Sequence, residues 1–115
     1  MMTYDELRAE WEEFNKITLP KSYNESKMFK EIWESKQHIS ELSGKQLLPK
    51  GHFKHHWQFL HVLPKGTFPN FKYFKHNILL GLPSEHEKQE QYEVFQERRE
   101  ILNRIYYEVY YNKKF

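Results

Sequence analysis

The chain has 115 residues and a formal net charge of +2, which is enough material for one domain with a single hydrophobic core. Phe, Tyr and Trp make up 17% of the residues, and this aromatic content excludes a disordered polar chain. The chain has no cysteine, which excludes disulfides, and no apolar stretch approaches the ~20 residues of a membrane helix. The first residues form neither a basic nor an apolar segment, so we expect no signal peptide, no membrane partner and a cytoplasmic protein.

Two helices are predicted at the N-terminal end. Thr3 and Glu6 have the spacing of a capping box, and apolar residues then follow at helical intervals, which predicts a helix over residues 4–16. Asn24 or Ser26 is a suitable cap for a second helix with its apolar residues on one side.

Short strands are predicted in the middle of the chain. Residues 39–48 contain two small apolar pieces around Gly44, a pattern that indicates a hairpin. Residues 59–63 and 78–82 are apolar and bounded by Pro, Gly or Asn, so we expect two further strands there.

Helices follow the strands. Ser84 is a suitable cap for a helix that begins at Glu85, and a last helix carries Ile101, Ile105 and Val109 at intervals of four. These elements predict an α+β fold over residues 1–115 as a single domain. Its parts are N-terminal helices (about 1–36), a small strand-rich centre (37–92) and a C-terminal helix (93–115).

The charge is distributed unevenly along the chain. The 43 residues between Glu41 and Glu85 contain no Asp or Glu but hold six lysines and five histidines. A basic segment with interleaved aromatic residues favours a polyanion partner, most simply nucleic acid. The alternative is a pair of lysine-fringed loops that merely lack acids. The lysines predicted to bind DNA are Lys45, Lys50, Lys54, Lys65, Lys72 and Lys75.

His61, Asn77 and His86 lie at successive junctions of the predicted order strand, loop, strand, helix. Together with the segment Phe-Leu-His-Val-Leu-Pro-Lys-Gly at residues 59–66, they resemble the ββα-metal motif of the HNH endonuclease superfamily. The chain is most similar to short phage HNH-type proteins and recombination nucleases. Further matching pairs are Phe68-Pro69, Asn77-Ile78 and Glu85-His86.

The resemblance implies a metal-dependent DNA endonuclease, encoded by a phage or mobile element and acting on duplex or branched DNA in the host cytoplasm. His61 would be the general base, because an imidazole has its ordinary pKa near neutral pH, and Asn77 would orient its ring. His86 would bind a divalent cation such as Mg²⁺. Glu90, four residues further along the expected helix, and His56 are candidates for a second metal contact.

Many HNH proteins also hold a structural zinc with four cysteines in a treble-clef arrangement. The matching positions in this chain are Ser40, Ser43, Leu82 and Glu85, which cannot form a thiolate zinc site. We therefore expect no structural zinc, and we expect packing of Trp, Phe and Leu to replace it.

Alternatives remain open for the function. Leu60 stands where many HNH enzymes have a second metal ligand, which favours a catalytically impaired HNH-like domain that binds nucleic acid or a protein partner, in recombination or counter-defence. An unrelated α+β adaptor is the third hypothesis, with His61 a packed strand residue, Asn77 a turn residue and His86 a surface residue. The tyrosine-rich C-terminal helix also permits a homodimer or a protein-partner face; its tyrosines are Tyr106, Tyr107, Tyr110 and Tyr111.

Overall fold

The computed structural model describes residues 2–111, within which four α-helices surround a two-stranded antiparallel sheet. The predicted α+β class is confirmed. The last part of the predicted C-terminal helix, residues 112–115, lies outside the described residues. In chain order the elements are α1 (Tyr4–Asn15), α2 (Glu25–Ser35), β1 (Phe59–His61), β2 (Ile78–Leu80), α3 (Pro83–His86) and α4 (Glu93–Tyr106).

Side chains near the helix starts satisfy backbone N–H groups that have no partner inside the helix. The Thr3 hydroxyl accepts the Glu6 N–H and the Glu6 carboxylate accepts the Thr3 N–H, both at 3.2 Å, which confirms the capping box of α1. At α2 the Asn24 side chain accepts the Lys27 N–H at 2.9 Å. The start predicted for α3 is wrong: Ser84 lies inside this helix, which begins at Pro83.

The sheet lies between two helical layers. Leu60 pairs with Leu79, and alternate side chains of each strand point to opposite faces. Phe59 and Ile78 pack against α2, whereas Leu79 packs against α1 and α4. His61 shares the face of Phe59, so the strand directs its side chain toward α2.

Both strands are shorter than predicted. One further bond in the same register lies just beyond the strand ends, where the Val62 N–H donates to the Asn77 carbonyl at 2.8 Å. The predicted hairpin over residues 39–48 consists of one antiparallel bridge between Ile39 and Gln46. Gly44 turns the chain there with φ of 79°, a conformation that glycine adopts without steric cost.

A π-helical turn, Tyr107–Tyr111, follows α4. The Tyr106 ring packs edge-on against Phe68 with 4.9 Å between ring centres, while Tyr107 is exposed. The Tyr110 and Tyr111 side chains lie outside the described part of the structure. Across residues 2–111 we find no helix with the length and apolar character needed to cross a membrane.

Candidate functional site

One polar cleft lies on the sheet face that His61 shares with α2. It has a volume of about 460 Å³, and its walls come from the start of α2, the end of β1, the 3-10 turn His55–Gln58 and α3. Four predicted site residues line it, although they are scattered along the sequence. The polar side chains of the cleft are Glu25, His56, His61, Lys65, His86 and Glu87.

His61 is the most enclosed of the cleft's imidazoles. Its Nε2 atom is buried and has no hydrogen-bond partner within the described residues; the nearest acidic atom is a Glu25 carboxylate oxygen at 3.8 Å. Burial lowers the pKa of His61, and the charges of Lys65 and His86 lower it further, against the opposing effect of Glu25. The lowered pKa favours the neutral form of the ring near pH 7, and Nε2 makes no hydrogen bond to the described residues.

Glu25 is a site residue that the sequence did not indicate. It is the first residue of α2, where the partial positive charge of the helix N-terminus favours a carboxylate. One carboxylate oxygen accepts a bond from the Lys65 ammonium at 2.9 Å and also faces His61. At 3.8 Å this carboxylate makes no hydrogen bond to the ring, but its charge favours the protonated form of His61 and acts to raise the His61 pKa.

His86 and His56 face the same cleft from different elements. His86 ends α3, and His56 lies in the turn before β1; both are solvent-exposed. Within residues 2–111, no three His, Asp or Glu side chains are arranged as a ready-made metal site. Imidazole and carboxylate donors are nevertheless present around the cleft. In this mixed set the imidazoles suit transition metals such as Ni²⁺ or Zn²⁺, whereas the carboxylates suit Mg²⁺ or Mn²⁺.

Glu90 does not line this cleft. The helix that begins at Pro83 ends at His86, and Glu90 lies beyond it in a separate 3-10 turn, so the predicted same-face spacing is wrong. Its carboxylate instead forms an exposed ion pair with Arg99 at 2.8 Å. Glu87, the residue directly after α3, lines the cleft instead, as Glu25 does from α2.

Asn77 is fully buried and positions the loop after β1. Its side-chain oxygen accepts the Leu63 N–H at 2.8 Å, and its amide nitrogen donates to the Leu63 carbonyl at 3.0 Å. Its own carbonyl accepts the Val62 N–H. Asn77 thus acts on the backbone beside His61; the expected bond from Asn77 to the His61 ring is not among its contacts in the described structure.

The four positions that resemble zinc ligands converge on one buried carboxylate. The Ser40 hydroxyl donates to Glu85 at 2.6 Å, and the Leu82 N–H donates to the same oxygen at 2.9 Å. Burial acts to raise the pKa of Glu85, but bonds from Ser40, Ser43 and Leu82 together with the Lys45 charge hold it below its usual range. Hydrogen bonds therefore join these segments, in addition to the apolar packing that the sequence predicted.

The lysines predicted to bind DNA have different surroundings in space. Lys65 and Lys75 form ion pairs with acids of α2, at 2.9 Å to Glu25 and 2.7 Å to Glu31. The central segment contains no acidic residue, but its lysines form ion pairs with acidic residues of α2. This pairing lowers the positive potential that we had inferred from sequence alone.

Of the other four lysines, two lie near aromatic rings and two are exposed to solvent. Lys54 lies over the Phe53 and Trp57 rings, and Lys72 lies 4.9 Å from the centre of the Tyr73 ring. Lys45 and Lys50 are solvent-exposed. Lys50 lines a second groove beside the cleft, together with Lys30, which lies outside the predicted set.

Comparison of the chain with protein-family models, with curated proteins and with solved structures found no match. The function is therefore inferred from the residues and their geometry.

Proposed function

We propose that the protein is a small metal-dependent HNH-type DNA endonuclease, encoded by a phage or mobile element and acting in the host cytoplasm. The observation that carries the proposal is the convergence of His61, Lys65 and His86 in one polar cleft. The order strand, loop, strand, helix around these residues supports it, as does the meeting of the four zinc-equivalent positions at Glu85.

His61 acts as the general base in this mechanism. Phosphodiester hydrolysis needs a water molecule to lose a proton as it attacks phosphorus, and a neutral imidazole can accept it at pH 7. Burial lowers the pKa of His61, which keeps it in the proton-accepting form. The facing Glu25 carboxylate then stabilises the imidazolium that results.

A divalent cation would neutralise charge on the scissile phosphate and on the leaving 3′-oxygen. His86 would hold this cation, with His56 or Glu87 as the second protein contact. Lys65 would contact the phosphate and exchange its bond to Glu25 for one to the substrate. The remaining lysines of the centre would bind the DNA backbone through non-specific charge attraction.

The second candidate is a catalytically impaired HNH-like domain that binds nucleic acid or a protein partner. Leu60 favours it, because this side chain is fully buried next to Gly81 and supplies no metal ligand. The two candidates share the cleft and the basic centre, and they differ in whether the parent protein cleaves DNA.

A plasmid-nicking assay with Mg²⁺, Mn²⁺ and Ni²⁺ tests the proposal. We expect metal-dependent cleavage by the parent and a decrease of about 10²–10⁴ in rate for His61→Ala. DNA binding by His61→Ala should be nearly unchanged, because the imidazole acts in the transition state rather than in substrate binding.

Two results would change the proposal. If the parent cleaves no duplex, single-stranded or branched substrate with any of the metals, the impaired domain becomes the better function. If His61→Ala cleaves as fast as the parent, the base has been assigned to the wrong residue.

A further inference from the structure

Two exposed aromatic rings flank one lysine at the edge of the His61 cleft. Phe53 is 75% exposed and Trp57 is 50% exposed. The Lys54 ammonium lies 5.7 Å from the centre of the Phe53 ring and 5.9 Å from that of Trp57. We call Phe53, Lys54 and Trp57 the aromatic platform.

The exposure of Trp57 contrasts with the other tryptophans. Trp11 and Trp33 are 1% and 7% exposed, and each belongs to a core cluster. An exposed Trp ring forgoes the stabilisation that burial would give it, and exposed aromatic groups commonly mark binding surfaces. Phe53 stacks on His52 with 4.8 Å between ring centres, and the exposed remainder of the Phe53 and Trp57 rings is available to a ligand.

One platform residue, Trp57, lines the His61 cleft, together with His56. His56 also lines a neighbouring groove of about 240 Å³, which contains Lys30 and Lys50. No Asp or Glu from the described residues lines that groove. Because His56, the neighbour of Trp57 in sequence, lines both depressions, a chain of phosphates bound along the groove would enter the cleft beside Trp57.

Aromatic rings next to a basic groove suit the faces of nucleobases. Stacking on an aromatic side chain is available only to bases that are not enclosed in a duplex. Each stacked base strengthens binding by roughly 5- to 150-fold, with little dependence on sequence. Lys54, between the rings, can add a contact to the phosphate between two stacked bases.

We infer that the aromatic platform binds unpaired nucleobases, so that the protein prefers single-stranded or branched nucleic acid to uninterrupted duplex. This inference deepens the proposed function and rests on it for the position of the scissile phosphate in the cleft. Base stacking itself needs neither a metal ion nor cleavage.

The test measures binding of a 12-mer of thymidylate in EDTA, compared with an abasic 12-mer of equal charge and with a blunt duplex. We expect the abasic strand and the duplex to bind at least fivefold more weakly than the thymidylate strand. The thymidylate strand should also quench tryptophan fluorescence, because Trp57 is the exposed one of the three tryptophans. A uridylate 12-mer shows whether RNA shares the site.

Matched variants locate the effect. Phe53→Leu and Trp57→Leu keep apolar side chains but remove the rings, and each should weaken binding of the thymidylate strand by roughly 5- to 150-fold. Neither should change binding of the abasic strand. Trp57→Phe keeps a ring and should retain most of the affinity. Ile17→Ala, at another exposed apolar residue that is 61% exposed, should change neither affinity.

Equal affinity for the thymidylate and abasic strands, or stronger binding of the duplex, would overturn the inference. Loss of affinity for both strands in Trp57→Leu would also overturn it, because the ring would then act on the basic groove or on folding. Cleavage is not measured, so an inactive parent would refute the nuclease proposal and leave base stacking intact. Conversely, equal affinity for the thymidylate and abasic strands would refute base stacking without contradicting the nuclease proposal for the cleft.

Discussion

Two histidine–carboxylate pairs have nearly the same geometry in this protein. His61 Nε2 lies 3.8 Å from Glu25, and His76 Nε2 lies 3.9 Å from Glu10. Burial is the main cause that lowers the pKa of both histidines, and a nearby acid opposes it in each case. The pair itself therefore does not identify a catalytic site.

The surroundings distinguish the two pairs. The cleft of His61 also contains the imidazoles of His56 and His86, and it contains Lys65, which forms an ion pair with Glu25. His76 lies in a pocket of about 270 Å³ with aromatic and aliphatic walls, and the charged side chains beside it there are Glu10, Glu13, Glu31 and Lys75. The His76 carbonyl accepts a bond from buried Arg98. Both depressions hold a lysine and carboxylates, so the feature that distinguishes the His61 cleft is its three imidazoles, which under the proposed function divide the roles of base and metal ligand.

The largest contrast should come from His86→Ala and His76→Ala. As the proposed metal ligand, His86 would act through metal occupancy, so His86→Ala should raise the half-saturating metal concentration by at least the roughly 10- to 100-fold that loss of a group supporting a ligand costs, and should also lower the rate. His76→Ala should leave the metal dependence unchanged. The measurement is single-turnover nicking over a range of Mn²⁺ concentrations. Equal shifts in the two variants would contradict the assignment of His86.

Asn77 connects the two regions, since it follows His76 and holds the backbone after His61. Asn77→Ala should lower the free energy of unfolding by about 2–4 kcal/mol, because it leaves the Leu63 N–H and carbonyl buried without their partner. Urea denaturation measures the change. Asn70→Ala, at an exposed residue of the same loop, is the control and should alter stability by less than about 0.5 kcal/mol. Similar losses in both variants would refute the positioning role.

Charge removal at Glu25 sharpens the comparison. Glu25→Gln should lower the pKa of His61 further, because the carboxylate is the group that raises it, and Glu10→Gln should do the same only to His76. NMR titration of the imidazoles measures both. Glu25→Gln also releases Lys65, so the salt dependence of DNA binding should increase by about one unit of slope. A rise in the His61 pKa would show that Glu25 acts in another way.

The smallest predicted effect is a loss of folding stability at acidic pH. For both His61 and His76 the folded-state pKa is below the ordinary value of about 6.5, so the unfolded chain binds more protons in that range. Stability should therefore be complete above about pH 6.5 and should decline as the pH falls through the lowered folded-state values. Thermal unfolding between pH 5 and 8 measures this, and His61→Ala should reduce the slope. A protein that became more stable on acidification in this range would contradict both shifts.

Local signals made part of this structure predictable. The Thr3–Glu6 capping box and the Asn24 cap act within one turn of their helices, and the structure confirms both. The elements that bring His61 and His86 to one cleft were expected from the block at residues 59–66 and its spacing to the next strand and helix.

Long-range contacts were not predictable in the same way. Nothing near Glu25 in sequence indicates that folding brings it to His61, and the acid-free segment gave no sign that Glu31 would reach Lys75. Glu90 was misplaced for a local reason: the sequence suggested a continuing helix, but α3 ends after about one turn. The sequence shows that residues 57 and 33 are both tryptophan, but it does not show that Trp57 is exposed and Trp33 is buried.

The ion pairs of α2 have a consequence for the order of folding. Asn77 contacts Leu63 across 14 residues of chain, whereas the bonds from Lys65 to Glu25 and from Lys75 to Glu31 span 40 and 44. Closing the longer loops costs about 1 kcal/mol more in chain entropy. This difference in loop entropy favours pairing of β1 with β2 before α2 docks, an order in which Glu25 would reach His61 last.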